Sequence, residues 1–258
     1  MTDVATKPAR RQVRLAGHLF VLAFLAIWVL YSSTVESYVM PNPWLVLTRL
    51  GEMFLDLNEI GHMLYSFAHI ISAVIISFLI GSTFSFLAYY LNIFHLTVHG
   101  RVSPFLNSFS GIGWTFLAII WFGISDVTVV FVITMVLIPF AVINMREALD
   151  NLDSERIEMA RSFTRSSWRQ FWLIILPSLY PFIFATIRIS FGVAWKVALT
   201  AELFGGNTGL GYMLNLARQD FDMPLVLAVI VVIIAFVYLT DRYIFAPIQA
   251  HLARHHDL

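Results

Sequence analysis

Cysteine is absent from the chain, which excludes disulfide staples and thiolate metal sites together. Charge is scarce as well: Asp, Glu, Lys and Arg make up 12% of the residues. Only two of these are lysines, Lys7 and Lys196, and they follow Thr6 and Trp195. A phosphate-cradling loop needs Gly-x4-Gly-Lys-Ser/Thr, so the chain cannot bind ATP by that motif. Sixteen acidic residues face sixteen Lys and Arg, so the overall balance points to neither nucleic acid nor an acidic partner.

What is present is apolar. Hydrophobic residues form 59% of the sequence and the mean hydropathy is +0.79, far from a soluble domain. The reading is an all-α polytopic membrane protein, one membrane domain over residues 1–258, since each crossing takes about 20 residues. The first apolar run, Leu15–Val35, follows Lys7, Arg10, Arg11 and Arg14 and lacks a small-residue cleavage site, so it reads as a retained helix. Met40-Pro41-Asn42-Pro43 breaks the chain, and Trp44–Asn58 suggests a short helix lying in the interface. Further crossings are expected at Met63–Leu91, Phe105–Phe122, Val127–Met145, Pro177–Ala201 and Leu225–Phe245, six in all. A short Gly123-Ile124-Ser125-Asp126 turn joins the third to the fourth.

Basic residues stay on the cytoplasmic side of membrane helices. With the amino terminus inside, Lys7, Arg10, Arg11, Arg14, Arg101, Arg146, Arg156, Arg161, Arg165, Arg169, Arg242 and Arg254 are cytoplasmic, against Arg49 and Arg218 outside. Both termini (1–14 and 246–258) and the charged segment 146–172 are then cytoplasmic, and 202–224 is an external loop.

The charged segment reads as helix, turn, helix. Asp150, Asp153 and Glu155 stand near a helix start and Arg161, Arg165 and Arg169 toward its end, which suits the helix dipole. Ser167 with Gln170 forms a capping-box pattern, so one short helix ends near Thr164 and a second begins at Trp168. Ile157, Ala160 and Phe163 recur at helical spacing, a surface that could enter a groove on another protein. Composition alone fits a solvated connector equally well.

The spacing Glu158-Met159-Ala160, Thr164, then Ile174-Ile175-Leu176-Pro177 resembles the EAA loop of ABC importer permeases. Met159 stands where that family often has alanine, and Thr164 where it usually has the glycine that permits a tight turn. Met40-Pro41-Asn42-Pro43, Ile120-Trp121-Phe122-Gly123, Ala201-Glu202 and Gly209-Leu210-Gly211-Tyr212 are similar to stretches of the branch serving nitrate, taurine, aliphatic sulfonates and bicarbonate. The resemblance covers roughly residues 40 to 245. It implies a transmembrane subunit of a type I importer in a bacterial inner membrane. Glu158, Met159, Ala160, Arg161, Phe163, Thr164 and Pro177 would couple it to a separate cytoplasmic ATPase, which binds ATP and Mg. Two ATPases, a second permease copy and an external binding protein would complete the assembly. Cargo is open between a small anion and a neutral molecule such as a pyrimidine precursor. A secondary transporter would instead show inverted repeats with paired broken helices, which the sequence does not.

Small residues let helices approach in lipid. Ser66, Ala73, Ser77, Gly81, Ser85 and Ala88 form one such stripe. Ser108, Gly111, Thr115 and Ala118, flanked by Trp114 and Trp121, form another that fits either helix packing or a translocation path. Ionisable residues inside a crossing cost about 2.5 to 3.5 kcal/mol unless paired or wetted. Arg188 and Lys196 fall in the fifth crossing and Glu202 near its outer end, Arg188 as a partner to polar groups. Lys196 beside Trp195 either lines the path and attracts an anion, pairs with an acid on a neighbouring helix, or snorkels outward. His69 occupies a position that resembles an arginine site of the branch. His95 and His99 stand at i, i+4, and His251, His255 and His256 cluster near the end. No nearby acid completes a set with His95 and His99, and the end cluster reads as a flexible tail, so no metal is expected.

Overall fold

The computed structural model describes residues 7–91, 98–152 and 166–249, and every regular element within them is helical. In chain order these are α1 (Lys7–Ser32), α2 (Pro43–Met53), α3 (Leu57–Tyr90), α4 (Ser103–Ser108), α5 (Gly111–Phe122), α6 (Asp126–Asp150), α7 (Leu176–Gly205), α8 (Leu210–Gln219) and α9 (Met223–Thr240). Short π turns precede α4 and α7 and extend α9.

Helix starts follow local chemistry. Asn42, Asp56, Ser110, Ser125 and Asp222 each accept a hydrogen bond from a backbone N–H in the first turn of α2, α3, α5, α6 and α9, and Pro43 sits where its missing donor costs nothing. The expected interfacial helix is α2, although Leu57 and Asn58 already belong to α3 because Asp56 caps there. Gly123 closes α5 at φ +70°, the left-handed region glycine favours, so the expected turn before α6 is present.

Four helical stretches are long and apolar enough to cross a bilayer: Leu57–Tyr90, Asp126–Asp150, Phe171–Gly205 and Met223–Gln249. The expected third crossing is not one rod. Gly100–Ser108 and Gly111–Phe122 meet at 90° and make a fifth span if taken together. The break lies at Phe109, whose backbone is extended at φ −90°, ψ 127°, while Ser110 Oγ accepts from the Gly113 N–H at 3.2 Å. The Phe109 ring packs edge-on against Trp114 at 5.0 Å. A Cβ at Gly113 would lie 3.0 Å from that ring, so the glycine lets the ring close under the bend. The apolar part of α1 is Leu19–Ser32, shorter than a full crossing. The first expected crossing, Leu15–Val35, therefore has no span of sufficient length among the described residues.

The fifth crossing also begins earlier than its proline suggests. Helical backbone runs from Ser167 through the π turn Phe171–Ile175 into α7 without a stop, and the Leu176 N–H reaches back to Phe171 O. That five-residue step admits Pro177 near the start of α7 without breaking the rod. The second short helix expected from Trp168 is accordingly the lead-in to α7.

α3 and α6 form the centre of the bundle, with α7 packed across both. The expected small-residue stripe of α3 is buried along its length. Ser85 Oγ donates to Val142 O at 3.0 Å, and a Cβ on Gly81 would fall 2.5 Å from Ala141 Cβ. Gly81→Ile is therefore expected to destabilise by about 1 to 3 kcal/mol through overpacking, read as a lower unfolding midpoint in detergent with insertion unchanged. α2 is tied down by Arg49, which donates to Glu59 (Nη1 to Oε2, 3.2 Å) and lies 3.8 Å from both Glu52 and Asp222. The hydrogen bond to Glu59 raises the guanidinium pKa further, against the opposing effect of burial.

Candidate functional site

At the end of the bundle where α7 meets the glycine-rich loop, a carboxylate is enclosed. Glu202 is 1% exposed. Its Oε2 accepts from Ser66 Oγ at 2.8 Å and from the Gly211 N–H at 2.8 Å. Its Oε1 stands 3.0 Å from His69 Nδ1, and the other ring nitrogen of His69 is 3.4 Å from Asp126 Oδ1. Thr208 Oγ1 donates to the same Asp126 oxygen at 2.5 Å. Burying a carboxylate without such partners would be prohibitive.

The loop is captured through three successive amides. The Gly209 N–H donates to His62 Nδ1 at 3.2 Å, Leu210 to Ser66 Oγ at 2.7 Å, and Gly211 to Glu202. The capture requires glycine at two positions. Gly209 has φ +97° and a Cβ there would lie 2.3 Å from the Glu202 carboxyl carbon, while one on Gly211 would lie 2.6 Å from Leu199 O. Sequence reasoning named Glu202 and the loop separately and missed Ser66 and Asp126 as partners. The one available signal was that His62, Ser66 and His69 place polar groups at helical steps near the start of an apolar helix.

Halfway along α7, Arg188 grips Asp241 of the α9 continuation with two hydrogen bonds, Nε to Oδ1 at 2.7 Å and Nη2 to Oδ2 at 2.9 Å, and also reaches Gln249. This bidentate geometry suits arginine and not lysine. Lys196, two turns further, is exposed and makes no ion pair or hydrogen bond through its side chain among the described residues. It lines an open groove of about 450 Å³ between α7 and α9, with Trp195, Leu199, Ile233, Val237, Tyr238 and Asp241. Trp195 stacks on Phe236 at 6.0 Å.

The second stripe is divided by the 90° break. Thr115 and Ala118 are buried, Thr115 Oγ1 bonds to Gly111 O at 2.9 Å, and a Cβ on Gly205 of α7 would meet Thr115 Cγ2 at 3.3 Å. Ser108 lies beyond the break, exposed and bonded to Phe105 O at 2.8 Å. Trp114 is buried, and its indole N–H, like that of Trp195, is enclosed without an acceptor among the described residues.

Glu158, Met159, Ala160, Arg161, Phe163 and Thr164 lie outside the described residues. Ser103, Asn107, Arg146, Glu147 and Asp150 line a second cavity of about 480 Å³ between α4 and the end of α6. His95, His251, His255 and His256 and the side chain of His99 also fall outside the description. Among the described residues no three His, Asp or Glu converge to hold a metal ion.

Comparison with known proteins gives this arrangement a context. The chain is 28% identical over 247 residues to the putative aliphatic sulfonates transport permease protein SsuC of Bacillus subtilis, covering 93% of this chain and 88% of that protein. It is 28% identical over 245 residues to the taurine transport system permease protein TauC of Escherichia coli, covering 91% and 87%. With the bicarbonate transport system permease protein CmpB of Synechococcus elongatus the identity is 26% over 240 residues, covering 87% and 84%. The fold is similar to a chain of the MetNI methionine ABC transporter in inward-facing conformations, with a TM-score of 0.67 over 76% of this chain and 96% of that one; at 17% identity the likeness concerns the fold alone. Residues 98–247, from the turn before α4 through α9, match the model of one family. The chain therefore belongs to the binding-protein-dependent transport system inner membrane components.

Proposed function

We propose that the chain is the transmembrane subunit of an ATP-driven importer for a small anion of the sulfonate, taurine, nitrate or bicarbonate type, delivered by an external binding protein. The observation that carries this reading is the family match over residues 98–247, a stretch that contains the Glu158 to Pro177 spacing. In it, Glu158, Met159, Ala160, Arg161, Phe163, Thr164 and Pro177 seat against a separate ATPase subunit that holds ATP and Mg, and this chain carries no ATP-hydrolysing site of its own. The relatives' names, taken from sulfonate, taurine and bicarbonate systems, support an anionic cargo.

The assembly is two ATPases, two copies of this chain and the binding protein, in a bacterial inner membrane with both termini cytoplasmic. Closure of the ATPases rocks the helices between inward and outward openings, a rigid-body switch. Lys196 and Trp195 lie along the solute path, Glu202 holds its outer end, and Trp114, Ser108 and Thr115 belong to the broken span beside it. An unpaired lysine in an apolar surrounding favours an anion over a neutral molecule by Coulomb attraction.

Ala160→Asp, which introduces a charge into the docking surface, is expected to leave membrane insertion intact and abolish solute-stimulated ATP hydrolysis in proteoliposomes holding the ATPase and binding protein. Nitrate, sulfonates, bicarbonate and neutral heterocycles are compared in the same assay. Stimulation by an anion supports the reading, and stimulation by a heterocycle alone replaces the cargo. If no ATPase associates with the wild-type chain, the importer reading falls.

A further inference from the structure

The contacts that hold the glycine-rich loop converge on groups that gain and lose protons. Gly211 donates to Glu202, Leu210 donates to a serine hydroxyl that itself donates to Glu202, and Thr208 donates to Asp126. Gly209 donates instead to His62. Between the two acids lies His69, 4% exposed, with Nδ1 3.0 Å from Glu202 Oε1 and Nε2 3.4 Å from Asp126 Oδ1. Among the described residues no arginine or lysine pairs with either acid.

A neutral imidazole has one donor and one acceptor, and an ionised carboxylate only accepts. With Glu202 and Asp126 both ionised, a neutral His69 would turn a lone pair toward one of the two carboxylate oxygens. One added proton removes the conflict. It either completes an imidazolium that donates to both acids, or rests on Glu202 Oε1 and donates to Nδ1 while the Nε2–H serves Asp126; in such a coupled pair the proton belongs to the two groups together. His62 has the opposite requirement. Its Nδ1 accepts from the Gly209 N–H, so a proton on that nitrogen ends the bond. Of the other titratable groups around the two rings, Tyr65 stands 6.3 Å from His69 and Tyr212 5.7 Å from His62, centroid to centroid, and neither phenol is charged at neutral pH. Glu59, one turn before His62, is held by Arg49.

We propose that the His69 and Glu202 pair is a proton-binding site whose occupancy docks the glycine-rich loop, with His62 as an opposing site that must stay empty. Docking takes up a proton at the pair and gives one up at His62. By linkage, the pair's contribution is present at low pH and lost as pH rises through its titration, whereas that of His62 is present at high pH and lost as pH falls through its own. The loop is docked most firmly between the two. Loss of the proton at the pair leaves two carboxylates without a counter-charge, one of them 1% exposed. Such a group is penalised until it is hydrated, and hydration of Glu202 requires the loop to let go.

The test uses the full chain in nanodiscs, with Leu210→Cys as the one thiol of a sequence that has no cysteine. Leu210 is fully buried in the docked loop. Its rate of modification by a methanethiosulfonate reagent is divided by the rate in the SDS-unfolded chain at the same pH, which cancels the titration of the thiol itself. The quotient is followed from about pH 5 to 10, across the ordinary imidazole range. It is expected to pass through a minimum and to rise on either side by as much as about tenfold per pH unit, the limit for one coupled proton. Glu202→Gln, whose amide donates to Nδ1 as the bound proton does, should remove the rise at high pH. His62→Gln, whose carbonyl oxygen accepts from Gly209 without titrating, should remove the rise at low pH. A quotient flat across the range in the parent chain, or a limb that survives its own variant, overturns the proposal. No ATPase, binding protein or solute is present, so the outcome is independent of the importer reading.

Discussion

Glu202→Ala is expected to release the glycine-rich loop and lower the stability of the bundle on the order of 3 kcal/mol or more. Truncation leaves Ser66 Oγ, His69 Nδ1 and the Gly211 N–H without the acceptor they share. Each orphaned buried group costs about 1 to 3 kcal/mol. Glu202→Gln, which keeps a carbonyl oxygen for Gly211 but presents an amide where a second acceptor stood, should fall between. Because the chain has no cysteine, a single Leu210→Cys reports the loop directly. Leu210 is fully buried, so the introduced thiol should resist maleimide in the otherwise wild-type chain and react readily when Glu202→Ala is added. Unchanged labelling and unchanged thermal unfolding in the double variant would show that the loop is held by something other than this carboxylate.

Arg188→Met should be the most damaging single change in the half of the bundle away from Glu202. It removes both hydrogen bonds to Asp241 and leaves a carboxylate within a helical stretch long and apolar enough to cross a membrane. An unpaired acid within a crossing is penalised, though less near its end, where Asp241 stands half-exposed beside Arg242, than at its centre, and removing one partner of a pair is worse than replacing both. The expected result is poor yield and a strongly lowered unfolding midpoint for Arg188→Met, with much of the loss recovered in Arg188→Met/Asp241→Leu. A double variant no more stable than the single would mean that Arg188 acts through Gln249 or through packing.

The apolar runs made the helices legible, because hydrocarbon must surround each crossing and local composition records it. The stripe from Ser66 to Ala88 was legible for the same local reason: small residues at helical steps mark a close approach. Arg188 as a partner to polar groups also followed from the cost of a charge in lipid. The 90° break between α4 and α5 was not legible, since Ser108 to Gly113 reads equally as a flexible helix start. What fixes it is the Phe109 ring under Trp114, a contact no periodicity encodes. Pro177 suggested a helix beginning, and the π turn before it removed the conflict that made that inference reasonable. The Glu202 cluster was hidden for a different reason. Its partners are supplied by α3 and α6, and the six-residue step to Lys196 showed only that the two charges do not share a face.

That separation bears on how the chain is made. Ser66 and His69 lie 136 and 133 positions before Glu202, and the loop amide that Ser66 accepts is 144 positions away. During synthesis α3 enters the bilayer long before α7 exists, carrying a hydroxyl and an imidazole whose native acceptor has yet to leave the ribosome. Local pairing or water must shelter them until then, since bare polar groups in hydrocarbon are penalised. The end of α3 that carries Ser66 and His69 can reach its final state only once residue 211 has emerged, so an early part of the core is among the last to be finished.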